Sequence, residues 1–229
     1  FYAIAYDTSA IASIGDDLTI AYRGTDSPLD MATGWLAGAG LPVAQSALAL
    51  DFYVAAAGSN LKNAQITTTG HSLGGGLAGL AANFYGQQAV LFDHMPYGPV
   101  SLTLHALALL NDAVADQFYK GDPWELDARQ IDALSTEGEM LSLLRADILT
   151  GASEAVPSHG GVRSRIDLHS MSLLALLIWA EDNDRTEWQS VGSELWDSFF
   201  DKDVATATAI PGIEAFVVES GTPLSVMQA

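Results

Sequence analysis

The sequence predicts an α/β domain spanning residues 1–229, a mostly parallel β-sheet with helices on both faces. Three observations point to it. First, the β-branched run Gln65-Ile66-Thr67-Thr68-Thr69 passes through Gly70-His71-Ser72-Leu73-Gly74 into an apolar small-residue segment, Leu77 to Tyr85, so a strand meets a helix across one tight turn. Second, short strand-like runs alternate with longer Ala/Leu-rich helical stretches, the pattern of a parallel sheet with crossover helices. Third, 229 residues at 49% hydrophobic content can bury a sizeable core and are not disordered.

The elements follow in order. Phe1 to Tyr6 alternates aromatic or β-branched with small residues and reads as a strand, and Asp7 to Gly15 holds a turn. Leu18 to Tyr22 is a second strand, running into Arg23-Gly24-Thr25-Asp26. Pro42 to Ala57 reads as a helix, with Pro42 suited to its start and Gly58 to its end; Gln45, Leu48, Ala49, Phe52 and Ala56 share one face. Gly58 to Asn63 turns back into the central strand. After the central helix, Gly86 turns the chain into a strand over Gln88 to Phe92, which ends in Asp93-His94-Met95-Pro96-Tyr97-Gly98. Asp93 and His94 thus stand at a strand's carboxyl end, where α/β sites assemble, either as contacts around a site or as a plain polar strand end.

Pro99 to Lys120 is rich in Leu and Ala and reads as one helix or a broken pair. It is more apolar than a connection needs to be, so the 99–120 stretch is either a lid or acyl-binding wall or an ordinary crossover helix. Arg129 to Thr136 is a further strand, and Gly151 to Arg165 reads as a loop. Ile166 to Trp179 becomes a strongly apolar helix that Asp182 to Asp184 breaks; its apolar run, Leu173 to Ala180, is too short to span a bilayer and reads as buried. Thr186 to Phe200 is an amphipathic helix with Trp188, Val191, Leu195, Trp196 and Phe199, and Ile213 to Val218 a final strand.

The central turn carries the chemistry. G-x-S-x-G between a strand and a helix is the nucleophile elbow of α/β-hydrolases. A strand turning straight into a helix strains the serine backbone. Side chains two before and two after it would collide, hence Gly70 and Gly74. Ser72 is then lifted above the sheet at a helix N-terminus, and the Leu73 N–H is placed to stabilise an oxyanion. A serine hydroxyl is a weak nucleophile, so it needs a base, and the base needs an acid to fix its tautomer. The order in this fold is Ser, acid, His. Of the five histidines, His71 lies in the elbow and is expected to point away from the nucleophile, while His94 and His105 leave little room for an acid before them. His159 and His169 remain; His169 follows an irregular loop at the start of an apolar helix and is preferred. Glu139, after the strand ending at Thr136, is the chosen acid, with Asp147 and Asp132 as alternatives.

Tyr22-Arg23-Gly24-Thr25 well upstream of Gly70-His71-Ser72-Leu73-Gly74 resembles the lipase class 3 family, the fungal-type triacylglycerol lipases and their bacterial relatives. The resemblance covers roughly Leu18 to Trp179. It implies that Thr25 supplies the second oxyanion donor, and that Asp167-Leu168-His169-Ser170-Met171 matches the family's His-Ser segment. Relatives have Asp in a Gly-Asp-x-Val-Ser place where this chain has Glu139, a departure that leaves the acid open. The implied activity is hydrolysis of lipid esters, as a lipase. A short-chain esterase or polyester hydrolase, a phospholipase, an acyltransferase and a non-catalytic lipid- or partner-binding scaffold are the rivals.

Charge bounds the partners. A net charge of −19 with only 9 Lys+Arg argues against nucleic acid or an anionic membrane as an electrostatic partner. Transient contact with a lipid interface is expected instead. Zero cysteines exclude disulfides and thiol catalysis. No metal motif stands out, and no cofactor is expected. The chain opens at Phe1 inside a strand-like run, so a natural N-terminus is expected before it, and a secreted location is the expectation that goes with the acidic balance.

Overall fold

The structure is a computed structural model that describes residues 1–11, 17–24, 44–58, 65–109, 131–142, 144–145, 153–157, 165 and 167–182. Its strands are β1 (Ala3–Asp7), β2 (Leu18–Tyr22), β3 (Ile66–His71), β4 (Gln88–Phe92), β5 (Ile131–Thr136) and β6 (Ser153–Val156). Its helices are α1 (Ala44–Ala57), α2 (Leu73–Tyr85), α3 (Gly98–Leu109) and α4 (Met171–Asp182), the last preceded by one 3₁₀ turn, Asp167–His169. The six strands form one sheet in chain order, with β1 antiparallel to β2 and every other pairing parallel. This is an α/β-hydrolase-like fold.

The described residues group into a compact unit spanning Phe1–Ser158 and Ser164–Leu177. Of the second unit, His159–Arg163 and Ile178–Ala229, only the end of α4 is described. The helix expected over 186–200, the strand expected over 213–218 and the 110–120 part of the expected lid lie outside the described residues.

The middle of the sheet is built around β3. Ile66 and Thr68 point inward and are fully buried or nearly so, and the Thr68 hydroxyl is satisfied by donating to the Ala78 carbonyl of α2 at 2.9 Å. Ile20, Leu91, Leu77, Leu80, Val100, Ile131 and Leu141 close one continuous core around the strand and its helix. α2 ends at Gly86, whose φ of 64° gives the left-handed cap and whose backbone N–H reaches the Ala82 carbonyl.

Two expectations are corrected. Of the face expected for α1, Gln45 and Ala49 are buried and Phe52 and Ala56 pack partly buried against the core, whereas Leu48 is exposed; Ser46, Tyr53 and Ala57 complete the buried side. The helix is apolar on nearly every side, so spacing alone left its rotation open; Tyr53, stacked on Tyr85 of α2 at 4.2 Å between ring centroids, fixes it. The segment expected as a loop after Gly151 contains β6, paired parallel to β5 from Ala133↔Ser153 to Thr136↔Val156. It is a four-residue edge strand, Ser-Glu-Ala-Val, and too short and polar to announce itself by alternation.

Candidate active site

Ser72 stands between the last residue of β3 and the first of α2 with φ 57° and ψ −124°, a left-handed conformation that costs a non-glycine residue energy. The elbow is held in place from both sides. The Ser72 N–H donates to the Phe92 carbonyl at the end of β4 (3.0 Å), and the Ser72 carbonyl accepts from Met95 (2.9 Å) and Gly76 (3.1 Å). The two flanking glycines are demanded by space: a Cβ on Gly74 would overlap the Tyr22 carbonyl oxygen, and one on Gly70 would overlap the Gly74 backbone.

The sheet then brings distant residues to the same edge. Glu139 follows β5 and is fully buried, and His169 closes the 3₁₀ turn before α4. His169 Nε2 lies 2.8 Å from Ser72 Oγ, and His169 Nδ1 lies 2.7 Å from Glu139 Oε2. An ionised carboxylate only accepts, so Nδ1 carries the proton and the Nε2 lone pair faces the serine hydroxyl. Burial pushes the Glu139 carboxyl up, but hydrogen bonds from His169 and the Leu141 N–H (2.7 Å), with the Arg145 charge, outweigh it and hold the group below its ordinary value. Glu139 is therefore charged at neutral pH, and a hydroxyl, an imidazole and a carboxylate stand in line. Such a line can deprotonate an alcohol and return the proton to a leaving group.

The other expected residues fall as follows. Leu73 opens α2 and is buried; in the first helical turn its N–H has no intrahelical acceptor. Thr25, His159 and Asp147 lie outside the described residues. Asp132 is exposed on β5. His71 stands beside His169. Its ring leans on that of His169 at 4.8 Å, and its Nε2–H donates to the His169 carbonyl at 3.0 Å. Burial, and then the neighbouring His169, lower its pKa to about 4, so it is neutral.

Three groups surround the line: Arg145, unassigned in the sequence, and Asp93 and His94, read there either as contacts around a site or as a plain polar strand end. Arg145 pairs with Glu139 Oε1 through Nη2 and donates to the His94 carbonyl through Nη1 at 2.9 Å. Both partners of the ion pair are almost wholly buried. A lone arginine six residues past a candidate acid, in a chain with 9 Lys+Arg, was the available signal. Asp93 is fully buried at a φ of 41°; its Oδ1 accepts the Thr136 N–H at 2.8 Å, and its Oδ2 is 3.8 Å from His71 Nε2. Burial raises its pKa to about 6. His94 is also fully buried, donates through Nδ1 to the Met95 carbonyl at 3.0 Å, and is lowered to about 4 by burial. So Asp93 and His94 are interior groups that brace the strand ends, not surface polars.

Among the described residues, His71, Asp93 and His169 bring one possible metal-ligand atom each within 4.8 Å of one another. Both ring nitrogens of His169 already serve Ser72 and Glu139, so a cation held there would displace a proton acceptor.

A family model for a phospholipase-like domain, described as the Tle-like phospholipase domain, matches residues 1–175. The chain belongs to this family. It is thus a lipase-like hydrolase domain, and the matching family is not the lipase class 3 family that the two motifs resemble. No curated protein matches the chain. Among the described residues, no helix is long and apolar enough to cross a membrane.

Proposed function

We propose that the protein is a serine hydrolase of phospholipid carboxylic esters, working through an acyl-enzyme on Ser72. The observation that carries the reading is His169 within hydrogen-bond reach of Ser72 Oγ at 2.8 Å and of Glu139 Oε2 at 2.7 Å, with Ser72 strained at the head of a helix. Membership of a phospholipase-like family supports the lipid substrate.

His169 Nε2 takes the Ser72 proton as Oγ attacks the ester carbonyl. Glu139 holds Nδ1–H and stabilises the imidazolium that forms. The carbonyl oxygen becomes an oxyanion facing the Leu73 N–H and the positive end of α2, with Thr25 as the second donor. Collapse breaks the ester bond, and His169 protonates the departing alcohol. Water, deprotonated by His169, then attacks the acyl-enzyme and frees the fatty acid and Ser72. Arg145 keeps Glu139 ionised and fixed, so the carboxylate need not reorganise during the cycle.

The test is hydrolysis of p-nitrophenyl esters from acetate to palmitate by the parent and Ser72→Ala. The parent turns over and the variant loses about 10⁴-fold or more in kcat. A long-chain optimum fits a lipid hydrolase, a short-chain optimum an esterase. Equal rates in the two proteins overturn the reading.

A further inference from the structure

A second chemical feature lies beside Ser72. A cleft of about 140 Å³ is lined by Phe1, Tyr2, Arg23, Gly24, Gln45, Leu73 and Leu77. It adjoins the serine: a Cβ on Gly24 would meet Ser72 Cβ at 3.6 Å, and Leu73 is the next residue in the chain. Its volume is below the roughly 300–1,000 Å³ of pockets that enclose a whole drug-sized ligand. It suits one polar fragment of a substrate, not a pair of acyl chains.

The lining is selective. Phe1, Tyr2, Leu73 and Leu77 give apolar walls, Gln45 gives an amide, and Arg23 gives a guanidinium. Arg23 is held there rather than merely nearby. Its backbone N–H donates to the Tyr2 carbonyl at 3.0 Å, and its guanidinium lies 5.9 Å from the Tyr2 ring centre. Cations are scarce: among the described residues Arg23, Arg145 and Arg165 are the only Lys or Arg. In a chain of net charge −19, a cation at the mouth of the site runs against the field of the whole molecule.

Resting on the ester-hydrolase reading above, we infer that this cleft receives the phosphodiester of a zwitterionic phospholipid headgroup, with Arg23 paired to the phosphate. A planar guanidinium matches two phosphate oxygens at once, which a point charge does not. The net charge of −19 repels a purely anionic lipid, yet it tolerates the ammonium end of a zwitterionic one. The phosphate then fixes which end of the lipid enters beside Ser72, and the neighbouring ester carbonyl is delivered to Oγ.

The experiment compares dioctanoyl phosphatidylcholine with dioctanoylglycerol, each in mixed micelles of one neutral detergent, for the parent, Arg23→Gln and Arg23→Lys. The two lipids share acyl chains and differ in the phosphate headgroup. The ratio of kcat/KM on the phospholipid to that on the diacylglycerol falls about 10-fold or more in Arg23→Gln. The fall comes through KM, and Arg23→Lys recovers part of it. Glycerophosphocholine competes with diacylglycerol hydrolysis by the parent and loses that effect in Arg23→Gln. Using a ratio removes any change in folded fraction. An unchanged ratio across the three proteins overturns the inference while leaving the hydrolase reading intact. A parent inert on both lipids and on p-nitrophenyl esters removes the hydrolase reading, and the inference falls with it.

Discussion

At the scale of single residues, the site depends on charges that have no water to fall back on. Glu139 has Arg145, the Leu141 N–H and His169 as its partners, and all lie inside the fold. Glu139→Gln keeps the shape but cannot hold His169 in the same tautomer with a charge, and kcat is expected to fall about 10³–10⁴-fold with KM little changed. Steady-state kinetics on one soluble ester checks it. Arg145→Met leaves the buried carboxylate without its counter-charge, and a loss of about 3–5 kcal/mol in urea unfolding is expected, well above that of a surface arginine. These residues were unequally legible. Ser72 announced itself because the elbow needs glycines at fixed offsets, and His169 because order along the chain left few candidates. Glu139 emerged only by its place after a strand. Arg145 stayed hidden, and Asp93 stayed open between a site contact and a polar strand end, because their roles are bonds to residues 6 and 43 positions away that no local pattern encodes.

At the scale of elements, the carboxyl ends of β4 and β5 form one braced unit. Asp93 N–H donates to the Leu134 carbonyl at 2.9 Å, Asp93 Oδ1 accepts from Thr136, and the Thr136 carbonyl accepts the Glu139 N–H at 3.2 Å. The turn that carries the acid therefore hangs from the Asp93 side chain. Asp93→Ala orphans the buried Thr136 N–H, and a cost of about 1–3 kcal/mol is expected in chemical denaturation, with kcat reduced as the Glu139 turn loosens. Strand positions β2 and β4 matched their sequence pattern residue for residue, since short apolar runs between turn signals leave few readings. The rotation of α1 and the existence of β6 did not show, because an all-apolar helix has no preferred face and an edge strand gains its order from its neighbour. Both are tertiary facts.

For the whole molecule, acid is expected to unfold the protein through its buried imidazoles. His71 and His94 sit at about 4 in the folded state against an ordinary 6.5, so between those values the unfolded chain binds more protons and stability rises with pH. It is lost as pH falls from about 6.5 towards 4. Asp93 acts in the opposite sense: raised to about 6, it binds a proton in the fold where the unfolded chain does not, so its contribution favours the folded state at low pH. Two imidazoles outweigh one carboxyl, and urea midpoints are expected to drop across this window. His94→Gln flattens the slope and Asp93→Asn steepens it. The overall α/β architecture was the most legible feature, because alternation of strand and helix patterns repeats along the chain and does not hang on any one residue.

The proposed mechanism stands on Ser72 as the nucleophile, activated by His169. Its most direct measurement is mass spectrometry of the protein after reaction with a p-nitrophenyl alkylphosphonate, which mimics the tetrahedral state and traps an activated serine. One adduct is expected, on the peptide containing Ser72, formed rapidly in the parent and far more slowly in His169→Ala. An unlabelled Ser72 peptide, or labelling at the same rate in His169→Ala, would contradict it.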